Sequence, residues 1–262
     1  MSGAPAAETQ ALQALEFRVL GTRVHGVDLG QATAWIDAWA QAGARAHIAT
    51  VNPEFVMLAR QDAEFNDLLE RTRLNVPDGV GVVLDGRLGG ARVPGRVTGV
   101  TLMHEAMRLA AVREWPVALV GGAPGVAEAA AERLVHDVPG LRPPHTYGGA
   151  RGPEGDAAAR DFLRDVRPRI LCVGYGAPHQ ELWIDRNVSS DAACVAIGIG
   201  GTLDYLSGRV PRAPAALRSV GLEWAYRLWR QPSRWRRMRV LPVFAALAVR
   251  EILDRKTKDA AE

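Results

Sequence analysis

The chain has 262 residues, 48% of them hydrophobic and 23% charged, with a formal net charge of +3. This balance excludes disorder over most of the length and leaves room for one large α/β core with an appendage. No stretch reaches the ~18 uninterrupted apolar residues of a bilayer-spanning helix, and residues 2–13 lack the basic start and apolar run of a secretory signal, so a cytoplasmic protein is expected.

Residues 1–16 read as a mobile leader. Phe17 to Asp28 alternates apolar and polar residues around Gly21 and Gly26, which suits a hairpin, and Gln31 to Ala42 reads as a helix with Trp35 and Trp39 on one packed face. Arg45 to Val51 is a strand that stops at Asn52-Pro53-Glu54, where a helix begins. Thr50 and Asn52 either cap that helix or offer a hydroxyl and an amide at the carboxyl end of a strand, where α/β proteins bind ligands. Phe55 to Thr72 reads as helical. Arg73 to Val76 is then a short apolar approach that stops at Pro77 and delivers Asp78 into a turn bounded by Gly79 and Gly81. A carboxylate held there suits an acid or base at the mouth of a cleft; Pro-Asp-Gly is also ordinary helix-cap chemistry. Gly89 to Gly99 is a Gly- and Arg-rich loop whose Arg92 or Arg96 can pair with two phosphate oxygens. Val100 to Val112 carries an apolar stripe of Leu102, Met103, Ala106, Leu109 and Ala110, a helix.

From Pro116 the pattern becomes strand, glycine turn and helix, three times over. Val117–Val120 enters Gly121-Gly122-Ala123-Pro124-Gly125; Ile170–Val173 enters Gly174-Tyr175-Gly176-Ala177-Pro178; Cys194–Ile197 enters Gly198-Ile199-Gly200-Gly201-Thr202. Continuous apolar strands separated by helices predict a Rossmann-like parallel sheet covered on both faces. Glycine turns that open helices can receive a diphosphate through free N–H groups, which makes Gly121, Gly122, Gly174 and Gly176 substrate-binding candidates. Neither of the first two turns matches the dinucleotide pattern Gly-x-Gly-x-x-Gly, and no Asp-x-Asp metal signature occurs. Cys172 and Cys194 lie in apolar runs and read as buried hydrophobes, with no disulfide and no metal assigned. Gln180 can donate to and accept from a sugar hydroxyl, and Asp204 can read a nucleobase N–H or bind neighbouring backbone.

The last segment is the most basic. Between Arg209 and Arg239 the only acid is Glu223, and arginines alternate with Trp224, Trp229 and Trp235. That mixture suits anionic headgroups at a membrane interface. The chain thus divides into the leader at 1–16, an α/β core at 17–208 and a basic helical appendage at 209–262.

Thr50-x-Asn52-x-Glu54, Pro77-Asp78-Gly79, Arg96-x-x-Gly99, Gly121-Gly122-x-Pro124-Gly125, Gly174-x-Gly176-x-Pro178-x-Gln180-Glu181 and Gly201-Thr202-x-Asp204 occur in this order. They are followed by Arg212-Ala213-Pro214, Gly221-Leu222-Glu223-Trp224, Arg227-Leu228 and Pro232-x-Arg234-x-x-Arg237. This ordered set resembles the WecG/TagA/CpsF glycosyltransferases, glycosyltransferase family 26, from Phe17 to about Arg239. The resemblance implies inverting transfer of a sugar from a UDP-sugar, typically N-acetylmannosamine or its uronic acid, onto a polyprenyl-diphosphate-linked sugar at the cytoplasmic membrane face. By the same resemblance Asp78 is the general base, Thr50 and Asn52 line the sugar or acceptor pocket, and Arg96 meets the diphosphate. Gln180 positions substrate, Asp204 contacts uracil, and Arg227, Arg234 and Arg237 serve membrane attachment and complete the site. With no metal signature, no cofactor is expected, and arginines and helix N-termini take the charge of the leaving UDP. The chain departs from the usual pattern at His179, where lysine is common, and at Ala215-Ala216. Two alternatives remain: a nucleotide-sugar-binding scaffold without catalysis, and a nucleic-acid-binding module with a basic aromatic tail. The second leaves the glycine turns and Asp78 unexplained, so no nucleic-acid partner is expected, and a homo-oligomer stays open.

Overall fold

The computed structural model describes residues 4–214, 216–217, 223–230 and 235–259. Helix α1 (Ala4–Gln13) leads into an antiparallel hairpin of β1 (Glu16–Val19) and β2 (Thr22–His25). There follow α2 (Leu29–Gln41), β3 (Ala46–Val51), α3 (Pro53–Ala59), α4 (Ala63–Arg71), β4 (Leu74–Pro77), α5 (Val80–Leu88) and α6 (Gly99–Arg113). The second half holds β5 (Val117–Gly121), α7 (Val126–Asp137), β6 (His145–Tyr147), α8 (Asp156–Val166), β7 (Ile170–Gly174), α9 (His179–Asn187), β8 (Val195–Gly198) and α10 (Thr202–Leu206). The described helices of the appendage are α11 (Glu223–Arg230), α12 (Trp235–Met238) and α13 (Val240–Asp259). Strands β3 to β8 form one sheet in the order β4-β3-β8-β7-β5-β6, and every neighbouring pair is parallel.

Two-sided burial explains why these strands are apolar throughout. Ile48, Leu74, Leu119, Cys172 and Ile197 face α2, α6 and α7, where they meet Trp39, Met103 and Leu134. The alternate residues face the other way. Ala49 and Val51 pack with Phe55 and Phe65, and Val120, Leu171 and Ala196 pack with Trp183 and Ile184. Both cysteines are buried, and burial pushes both thiols up, Cys194 to about 12, so each behaves as the small hydrophobe expected.

The helices show local causes. Asp28 caps α2 in a capping box with Gln31, and Trp35 stacks on Trp39 at 5.4 Å between centroids. The single helix expected over Phe55–Thr72 is two, because Asp62 accepts from Phe65 N and starts α4 afresh. Two further elements fall outside the strand runs read from the sequence: β6, three residues long and polar at the sheet edge, and the amphipathic α8. The segment expected as a mobile leader contains α1, and its Glu8 accepts from Trp39 Nε1 (2.9 Å) and Arg73 Nε (2.8 Å).

The hairpin is tied to β4 through a buried polar knot. Asn75 N donates to His25 Nδ1 (2.9 Å), Asn75 Nδ2 donates to the carbonyls of Arg23 and Leu69, and Thr72 Oγ1 donates to Asn75 Oδ1. Burial, helped by the nearby Arg23 guanidinium, lowers His25 to about 4. Neutral His25 therefore stabilises the fold fully above the unfolded value of about 6.5, and this contribution is lost as pH falls towards 4. Unfolding free energy is expected to fall by about 2 kcal/mol between pH 7 and pH 5 from this group alone. Urea titrations of the wild type and His25→Gln test this: an equal pH slope in both would remove His25 as the cause.

Candidate active site

A cavity of about 710 Å3 lies at the carboxyl edge of the sheet, over the ends of β4, β3, β8 and β7. Open α/β sheets place ligands at this edge because strands end there in loops and helix N-termini.

Asp78 leaves β4 with its N–H bonded to Val51 O (2.8 Å), and Val97 N bonds to Pro77 O (2.9 Å). These two bonds bring the end of β3, Asp78 and the Arg96 loop together. The N-cap position of α5 is held by Gly79, not Asp78. A Cβ on Gly79 would stand 2.6 Å from Pro53 Cδ; only glycine lets the Asp78 turn pack this closely on the Asn52-Pro53 turn. Asp78 and Arg96 are both half-buried and both line the cavity. The Arg96 loop is braced at its base by Arg87, which donates to Val93 O (2.8 Å) and Pro94 O (3.0 Å).

Asn52 caps α3, its Oδ1 accepting from Glu54 N (3.0 Å) and Phe55 N (3.2 Å), and it also lines the cavity. Thr50 is buried and spends its hydroxyl on Gly198 O (2.9 Å), tying β3 to β8 at the cavity wall. Gln180 is fully buried: its Oε1 accepts from Gly176 N (3.1 Å) and Gly200 N (2.9 Å), and its Nε2 donates to Glu181 Oε1 (2.8 Å). The other Glu181 oxygen meets His47 Nε2. The N–H groups of Gly176 and Gly200 are thereby turned to Gln180, whereas free N–H groups are what a bound phosphate requires. Asp204, in the first turn of α10, lines the same cavity.

Thr50, Asn52, Asp78, Arg96, Gly174, Gly176, Gln180 and Asp204 thus surround one space. Gly121 and Gly122 stand apart from it. Gly122 lines a smaller cavity of about 310 Å3 with Gly149, Arg151, Gly174 and Tyr175, and the last two residues border both spaces. Burial pushes the Tyr175 phenol up to about 12, so it stays neutral and donates to Gly149 O (2.7 Å). Arg234 lies outside the described residues, as do the side chains of Arg227 and Arg237.

The appendage supplies the cavity's apolar wall. Phe244 and Ala248 of α13 are buried against the core, and the Phe244 ring sits over Gly81 and Pro53, where a Cβ on Gly81 would come within 3.0 Å of it. Leu241, Val249 and Ile252 of α13 and Leu84 and Leu88 of α5 line the same space, with Leu84 and Leu88 50% and 58% exposed. This wall escaped the sequence reading, although Leu84 and Leu88 are four residues apart on one helix face. Among the described residues no helix is long and apolar enough to cross a membrane, and no three His, Cys, Asp or Glu side chains gather as metal ligands.

The model of the Glycosyl transferase WecG/TagA/CpsF family matches residues 17–258. A protein of Bacillus subtilis (strain 168) is 32% identical over 210 residues, 80% of this chain and 81% of the relative. One of Bacillus spizizenii (strain ATCC 23059 / NRRL B-14472 / W23) is 32% identical over 205 residues, covering 78% and 79%. A third, of Staphylococcus aureus (strain MW2), is 30% identical over 197 residues, covering 75% and 77%. All three are named N-acetylglucosaminyldiphosphoundecaprenol N-acetyl-beta-D-mannosaminyltransferase. With the match running from the hairpin to the last turn of α13, the chain belongs to the WecG/TagA/CpsF family of glycosyl transferases.

Proposed function

We propose that this protein is an inverting glycosyltransferase that moves N-acetylmannosamine, its uronic acid or a related hexose from a UDP-sugar to a sugar carried on a polyprenyl diphosphate. The observation that carries this reading is the shape of the main cavity: a carboxylate and an arginine at the strand ends open onto an apolar wall between α5 and α13. A polar donor and an acceptor with a hydrocarbon tail need those two environments side by side. The relatives' names supply the acceptor class, a sugar on diphosphoundecaprenol, and a beta-linked product.

In this reading the acceptor hydroxyl attacks the anomeric carbon from the face opposite the diphosphate. The new carbon–oxygen bond forms as the bond to the UDP oxygen breaks, the hydroxyl proton passes to the Asp78 carboxylate, and UDP leaves with the bonding electron pair. One base is enough, because the diphosphate leaves as a stable anion and needs no proton from a second carboxylate. Arg96 meets the growing charge on the diphosphate. Asp204 faces the cavity as an acceptor for the uracil N–H. Turnover without added divalent cation and in the presence of chelator is expected. The enzyme works at the inner face of the cell membrane, where the Trp-rich α11 and α12 meet headgroups; Trp224, Trp229 and Trp235 are all exposed. The pathway is that of a cell-surface polysaccharide such as a teichoic acid.

The test is the anomeric configuration of the product formed from an α-linked UDP-sugar and a short-chain polyprenyl-diphosphate sugar, read by NMR. A beta linkage is expected. An alpha linkage would replace single displacement at Asp78 with a retaining mechanism.

A further inference from the structure

Beneath α9 a buried polar cluster interrupts the apolar packing of the sheet. His47 of β3, Gly198 of β8 and Gln180 and Glu181 of α9 meet there, and the three side chains are buried, Gln180 and Glu181 completely. Burying a carboxylate is costly unless it is fully bonded, so a buried Glu–His pair under a glycine turn calls for a reason beyond packing. Gly198 belongs to the same construction. A Cβ at this position would overlap Glu181 Oε1 and Gln180 Nε2, so the strand gives up a side chain to admit them.

The reason lies in the two ends of the Gln180 amide. Its oxygen and nitrogen are almost isosteric, and an isolated glutamine can turn either one forward. Here two backbone donors, Gly176 N and Gly200 N, demand the oxygen on one side, and the Glu181 carboxylate demands the NH2 on the other. Only one orientation satisfies both. In that orientation a single oxygen joins the turn after β7 to the turn after β8, and both turns line the main cavity. The turns already touch: a Cβ on Gly174 would stand 3.1 Å from Gly200 O. Both bonded glycines are left-handed, with φ of 74° at Gly176 and 56° at Gly200, a geometry that glycine adopts without the steric cost a side chain would bring.

We propose that Glu181, braced by His47, is a positioning residue: it locks the Gln180 amide so that Gln180 clamps the β7 and β8 turns at the spacing the nucleotide-sugar donor requires. The clamp itself is read from hydrogen bonds, and its effect on the donor rests on the transferase reading above. Neither Glu181 nor His47 lines the main cavity, so both act through Gln180. A displacement of about 1 Å in groups that orient a substrate costs on the order of 10² in rate, so a small slackening of the clamp is measurable.

The test exchanges the two side chains. Gln180→Glu sets two carboxylates against each other in a buried site, where they bond only by sharing a proton, so the variant is compared with the wild type at a pH high enough to remove that proton. The double variant Q180E/E181Q restores every bond in reverse. The carboxylate then at position 180 accepts from both glycine N–H groups, the amide at position 181 donates its NH2 to that carboxylate, and the amide oxygen accepts from His47. Gln180→Glu is expected to raise the donor KM and lower kcat/KM by about 10², with the acceptor KM unchanged, and the exchange to recover to within about tenfold of wild type. A Gln180→Glu enzyme with wild-type constants, or an exchange no better than the single variant, would overturn the proposal. Hydrogen exchange at the Gly176 and Gly200 amides reads the clamp without turnover. It is expected to be slow in wild type and in the double variant, and at least about tenfold faster in Gln180→Glu; equal rates in all three would also overturn it. A wild type without transfer activity but with that exchange pattern would remove the transferase reading and leave the clamp standing.

Discussion

Asp78→Asn is expected to lower transfer turnover by about 10² to 10⁴ while leaving UDP-sugar affinity unchanged. The substitution keeps the shape of the side chain and removes its ability to take a proton from the acceptor hydroxyl. The fold around it should not move. The backbone bond from Asp78 N to Val51 O survives, Val97 N still bonds to Pro77 O, and the N-cap position of α5 is Gly79. A loss confined to kcat with donor binding intact separates a base from a donor-binding residue, because binding groups shift KM as well. Steady-state kinetics with calorimetry on the same samples provides both numbers. Unchanged turnover would leave Asp78 as a turn residue and move the search for the base to another cavity group.

Removing every residue after Gly208 is expected to leave a folded sheet domain that no longer turns over lipid-linked acceptor, with a fall of at least about 10². All six strands of the sheet precede that point. What is lost is the apolar wall of Leu241, Val249 and Ile252 and the docking of α13 through Phe244, Ala248 and Glu251, whose Oε2 accepts from Leu20 N (3.1 Å). The truncated protein should also be less stable, since loss of a buried phenylalanine alone costs about 3–5 kcal/mol. Ile252→Ser in the full chain distinguishes the two effects: it makes the wall polar and leaves Phe244 and Ala248 seated on the core. Full activity on lipid-linked acceptor after truncation would take the appendage out of the mechanism.

The sheet was legible because its strands are buried on both faces, and continuous apolar runs such as Val117–Val120 and Ile170–Val173 have few other uses in a soluble chain. β6 was not, because a three-residue edge strand of His, Thr and Tyr carries no such signal. The break between α3 and α4 turns on the single cap at Asp62, which local helix propensity does not reveal. At the site, residues next to a glycine or proline turn could be found from the chain alone. Asp78, Asn52 and Gln180 each stand at such a boundary, and the fold brings them to one edge because every strand of the sheet runs the same way. Their bonding was out of reach: Gln180 occupies the N–H of Gly176, which was read as a phosphate donor, and Thr50 holds Gly198 where a substrate contact was expected. His47 and Glu181 are 134 residues apart, so their pairing follows only from β3 and α9 meeting across the sheet. The apolar wall was missed for the same reason, since α5 and α13 acquire a common function only when packed together.

The most direct measurement is UDP release from UDP-N-acetylmannosamine, with and without a short-chain polyprenyl-diphosphate N-acetylglucosamine, by the wild type and Asp78→Asn. Release by the wild type that depends on the acceptor, and its loss in Asp78→Asn, is the result expected of a transferase whose base is Asp78. Equal release by both proteins, or release indifferent to the acceptor, would contradict it.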